Sequence, residues 1–162
     1  MKKLIALALA LVTLLALVSC GGNNVFDLRS TLKEAGFGVS IQDKAYELED
    51  KFEDVIDEGL EAPIAYISAY SEDSESEYIE IIIFDSSSDA KDYEEYYLEA
   101  MLERMEERAE DEDEDLEDYL EDNYDVKSWD EYLEKYYDNT CGREGKCVYR
   151  ATREYIVEIA FG

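Results

Sequence analysis

Two sets of side chains in this sequence have types and spacings that could do chemistry: a run of carboxylates and a pair of thiols. Asp111, Asp113, Asp115 and Asp122 stand at positions 1, 3, 5 and 12 of a calcium-loop template. Position 6 of that template is Leu116, where the sharp turn needs glycine, and position 12 is aspartate, shorter than the usual bidentate glutamate. The alternative is a solvated helix or loop that holds calcium or magnesium only diffusely. Cys141 and Cys147 are separated by Gly142-Arg143-Glu144-Gly145-Lys146. That spacing is not the CxxC of redox enzymes or zinc sites, and no further Cys or His nearby could complete a metal shell. Outside the cytoplasm the pair could close as a structural disulfide, helped by the two glycines; two thiols are the alternative.

The absence of histidine removes the commonest general base, the Ser-His and Cys-His nucleophile pairs and the commonest metal ligand. Among 43 acidic residues no pair of carboxylates stands out as a glycoside-hydrolysis couple. The sequence therefore reads as non-enzymatic, with a carboxylate-based hydrolase as the remote alternative. A formal charge of −28 argues against a nucleic-acid partner, which needs a basic face. It favours cations or basic partners instead. Fourteen tyrosines include Tyr93, Tyr96 and Tyr97 in one segment and Tyr132, Tyr136 and Tyr137 in another. Such rings suit a surface for wall sugars or a protein, or they pad a core that is short of leucine.

The third cysteine has a different context. Lys2 and Lys3 precede an uncharged run over residues 4–17, which ends in Leu17-Val18-Ser19-Cys20. The run is too short to span a bilayer comfortably and fits a cleavable export signal. Its end resembles the lipobox of bacterial lipoproteins, with Leu17 the large apolar position, Ser19 the small one and Cys20 the modified one. The resemblance implies removal of residues 1–19 and a diacylglyceryl group on the Cys20 thiol. It implies attachment to the extracytoplasmic face of the cell membrane. Two acyl chains anchor stably where one is marginal. Residues 20–24 are then a short tether: the Gly/Asn spacer reaches at most about 14 Å when fully extended. Loss of Lys2 and Lys3 makes the remaining domain more acidic still, so lipid and not charge would hold it to an anionic bilayer.

The elements that must position these groups lie in one domain over residues 25–162. Residues 25–35 read as a helix stopped by Gly36, and 37–41 as a strand. Residues 44–58 carry Ala45, Leu48, Phe52, Val55 and Ile56 at helical spacing. Segments 64–70 and 78–84 read as an antiparallel hairpin, the second rich in isoleucine. Ser86, Ser87, Ser88 and Asp89 offer N-caps to an amphipathic helix through Ala90, Tyr93, Tyr97, Met101 and Met105. Residues 106–122 read as an acidic, solvated segment. A short helix around Trp129 to Tyr137 and a strand at 147–149 follow; the tail after Thr152 fits helix slightly better than strand. The expected class is α+β: an antiparallel sheet of about four strands with helices mainly on one face. The helix-Gly-strand opening at 32–41, the strand and capped helix at 79–90 and the strand-Thr ending at 148–152 resemble small Gram-positive lipoproteins of unknown function. That resemblance implies no particular activity. The function expected is that of an envelope lipoprotein binding a protein or a wall glycan, with divalent-cation binding as the alternative.

Overall fold

The computed structural model describes residues 25–34, 36–71, 78–137 and 141–152. The expected export signal, Cys20, the expected tether and the tail after Thr152 lie outside the described residues. Helix α1 (Val25–Glu34) is followed by strand β1 (Phe37–Gln42), then by two short helices, α2 (Ala45–Lys51) and α3 (Glu53–Asp57). Strands β2 (Ala65–Ser71) and β3 (Tyr78–Ile83) come next, then the long helix α4 (Ser87–Asp111), α5 (Leu116–Tyr124) and α6 (Trp129–Tyr132). A π-helical turn (Leu133–Tyr137) leads into β4 (Cys141–Glu144) and β5 (Cys147–Thr152). The strands form one sheet in the order β1-β2-β3-β5-β4, antiparallel at every ladder. The class is α+β, with five strands where about four were expected. The extra one, β4, contains Gly142, Arg143 and Glu144, residues that carry no strand signal of their own.

Because strand side chains alternate, the register assigns every residue to a face. One face carries Tyr66, Glu80, Ile82, Val148, Arg150 and Cys141; the other carries Ile67, Ala69, Ile79, Ile81, Ile83, Cys147 and Tyr149. The first packs under α2, α3 and the α4–α6 layer, in a core with Phe52, Tyr93, Tyr97, Met101, Met105 and Leu120. The second packs with Leu32 of α1 and Phe37 of β1. Helices thus lie mainly on one face, and α1 belongs to the other. Isoleucines at consecutive positions of β3 serve both cores at once, which explains the near-continuous apolar run of that strand.

Helix α4 starts at a capping box: Asp89 N–H donates to Ser86 Oγ, and Ser86 N–H donates back to the Asp89 carboxylate. Ala90, Tyr93, Tyr97, Met101, Met105 and Ala109 form its buried stripe. The helix runs through Asp111, well into the segment expected to be solvated. Asp115 then caps α5 by accepting from Asp118 N–H, and Tyr119 and Leu120 are buried. Residues 106–122 are therefore two packed helices joined by a turn, not a loose acidic stretch. Their carboxylates, among them Glu106, Glu110, Glu117 and Glu121, occupy the exposed sides.

Candidate functional site

The calcium loop does not form. Asp111 ends α4, Asp113 sits in the left-handed region at φ 58, and Asp115 is spent on capping. Asp122 lies on α5, because residues 116–124 are helical where the template needs a turn and an extended segment. Leu116 at the sixth position opens this helix, as the missing glycine foreshadowed. Among the described residues no group of three or more Asp, Glu, Cys or His is arranged to hold a metal ion. The turn does crowd carboxylates. Glu114 has an oxygen shielded from solvent with no hydrogen-bond partner. Desolvation, and then Asp122, Glu112, Asp118 and Asp115, push its carboxyl above the ordinary carboxylate range.

The disulfide between Cys141 and Cys147 is not formed either. Cys147 pairs with Glu144 across the β4–β5 hairpin, while Cys141 pairs with Arg150. An odd offset of three residues places the two side chains on opposite faces of the sheet, in different cores. It also separates them by roughly 10 Å along the strands, beyond the reach of a disulfide. Both are buried, and desolvation pushes the Cys147 thiol up to about 12. Glycines that would let a loop close here instead accompany a tight hairpin, with Gly145 at φ 57.

The six tyrosines noted on helices are core. Tyr93, Tyr97, Tyr132 and Tyr137 are buried, and Tyr96 and Tyr136 pack against them. Ring contacts join Tyr93, Tyr97 and Tyr137, with Tyr97 6.4 Å from Tyr137, and separately Tyr132 and Tyr136, 5.1 Å apart. Among the described residues the exposed rings are elsewhere, at Tyr46 and Tyr70. Tyr70 leans against Tyr78 with centroids 5.0 Å apart.

A polar group missed in the sequence lies under the helical layer. Glu80 and Arg150 are paired across β3 and β5, are 1 % and 5 % exposed, and stand 2.8 Å apart from Oε2 to Nη2. The Tyr66 hydroxyl donates to Glu80 Oε1, and the Tyr78 hydroxyl is 3.4 Å from that of Tyr66. Arg150 also lies over the Tyr97 ring, 4.7 Å from its centroid. Burial, reinforced by Glu80, pushes the Tyr66 and Tyr78 hydroxyls well above the ordinary tyrosine range, so both remain neutral donors. Ser68 pairs with Glu80 on one side and Ser40 on the other, and Cys141 pairs with Arg150. A polar row therefore crosses the whole sheet on this face. The ion pair is enclosed by its own partners and bridges β3 to β5. A single acid in a β-strand carries no periodic signal, and its partner is 70 residues away; neither could be found without the fold.

One open cleft lies on the outer side of α2 and α3. It holds about 420 Å³ and is lined by Tyr46, Glu49, Asp50, Glu53, Ile56 and Asp57. Four carboxylates at helical spacing face it, opposite the Leu48, Phe52 and Val55 stripe that packs on the core. The chain matches no protein-family model, and neither a curated protein nor a solved structure resembles it detectably.

Proposed function

We propose that the chain is an exported lipoprotein, held by lipid on Cys20, whose acidic domain binds a protein or wall component outside the cell and catalyses no reaction. The observation that carries this reading is the sequence Leu17-Val18-Ser19-Cys20 at the end of an uncharged run behind Lys2 and Lys3. The start of α1 at Val25, directly after the Gly/Asn spacer, supports it: a fold beginning there would sit close to the bilayer. Among the described residues no helix is long and apolar enough to cross a membrane. Cys20→Ala, expressed with its own leader, is expected to lose fatty-acid labelling and membrane association. Labelling that persists in the mutant would refute the anchor.

Divalent-cation binding is a second reading, favoured by the crowded carboxylates around Glu114. It takes the form of diffuse counterion binding. Millimolar calcium and magnesium should raise the melting temperature alike, and added sodium chloride should weaken the effect. No rise with either ion at matched ionic strength removes this reading and leaves the first untouched.

A further inference from the structure

The two edges of the sheet differ in how they are protected. Edge strand β4 is four residues long, carries Arg143 and Glu144, and is tied to α4 by the Arg143–Glu94 ion pair at 2.9 Å. Edge strand β1, Phe-Gly-Val-Ser-Ile-Gln, has no charge and no proline. Its pairing with β2 runs through six consecutive residues without a bulge. Natural sheets blunt an open edge with just the features that β1 lacks. Among the described residues β1 has a neighbour on one side only, so about half of its N–H and C=O groups point away from the sheet. Gly38 and Ser40 are exposed, and their small side chains leave the approach along the helical face clear.

The surroundings give the chemistry of the occupant. Residues 43–61, which leave the end of β1 and form α2 and α3, contain nine carboxylates against two lysines. Helix α2 lies beside that end: Lys51 sits 4.2 Å over the ring of Tyr66, the residue paired with Gln42. Four of the carboxylates line the cleft described above. A second copy of the chain would bring an equal excess of negative charge to this edge, whereas a basic segment would be attracted. We propose that β1 is a docking edge for an extended, lysine- or arginine-rich segment of a partner protein, which adds to the sheet as a sixth strand. Main-chain hydrogen bonds to β1 would provide the register and the carboxylates of α2 and α3 the preference for positive charge. This deepens the partner-binding reading, and it rests on that reading.

The test uses the full-length chain in detergent and a blocked peptide of alternating lysine and valine, long enough to match β1 residue for residue. Titration should saturate at one peptide per chain. The same peptide N-methylated throughout keeps its charge and side chains but cannot donate to a ladder, and should bind about tenfold more weakly or worse. Ser40→Lys, at an exposed position, should weaken binding as much, while Ser88→Lys, the same charge change on α4, should not. No binding, equal binding of both peptides, or equal losses in the two variants would overturn the proposal. Sedimentation provides a further check: a dimer that Ser40→Lys splits means that a second copy covers β1, and the partner is then excluded. Fatty-acid labelling of the same preparation scores the anchor separately, so either result can fail without the other.

Discussion

The two faces of the sheet bury their side chains by opposite means. The face under α2–α6 has a charged pair at its centre, flanked by tyrosines that supply hydrogen bonds and a cation–π contact. The face under α1 is aliphatic, with Ile67, Ile79 and Ile81 at 0–4 % exposure and no charged side chain among its buried residues. An aliphatic core tolerates many arrangements that keep its volume, whereas a buried ion pair is stable only when both partners meet. The comparison teaches a division of labour: α1's face supplies burial, and the other face fixes which strand lies beside which.

Breaking the ion pair should have the largest effect. Glu80→Ala leaves the Arg150 guanidinium buried without its counter-charge and should cost about 3–5 kcal/mol in urea unfolding. The double replacement Glu80→Leu with Arg150→Met should recover most of that loss, because matched apolar groups fill the space without an orphaned charge. A single mutant no worse than a surface substitution would show that water reaches the pair, and the contrast between faces would fail. On the other face, Ile81→Ala should cost about 3 kcal/mol and Ile81→Val about 1 kcal/mol, in the graded manner of lost volume. A cost for Ile81→Val as large as that of Glu80→Ala would mean that the aliphatic face is the more specific one.

A smaller effect separates the faces by pH. Burial holds the Cys147 thiol of the aliphatic face at about 12, above its ordinary 9.0. Burial holds the Tyr93 hydroxyl of the helical face at about 12, above its ordinary 10.0. Both groups are neutral in the fold and ionise more easily in the unfolded chain. The stability each contributes is therefore complete below its ordinary value and is lost as pH rises toward 12. Unfolding free energy should begin to fall near pH 9, from Cys147 first, and steepen above pH 10 as the tyrosines join. Cys147→Ala should remove the early part of that fall and Tyr93→Phe only the later part. At pH 8 the native Cys147 should resist alkylation and react once the chain is unfolded. A fall that starts near pH 9 in Cys147→Ala as well would assign it to other groups.

The apolar patterns of β1, β2, β3 and the first half of α4 were legible in the sequence, because β1 and α4 each bury one regular stripe and the two central strands are apolar on both faces. So was the class of fold. Residues 106–122 were misjudged, since so many carboxylates hide the few apolar contacts of Ala109, Tyr119 and Leu120 that dock both helices. The strand β4 was invisible for a related reason: it is held by its ladder to β5 and by Arg143 on Glu94, not by its own residue types.

What the sequence determined alone is what depends on neighbours along the chain: the acidic balance, the capping box and the amphipathic stripe of α4. What the tertiary structure decided depends on register between distant strands. A hairpin register with an odd offset put Cys141 and Cys147 on opposite faces and ruled out their bond. Another brought Glu80 and Arg150 to within 2.8 Å. A slip of one residue between β3 and β5 would have put Glu80 and Arg150 on opposite faces, and no local pattern in the chain encodes which strand will lie opposite.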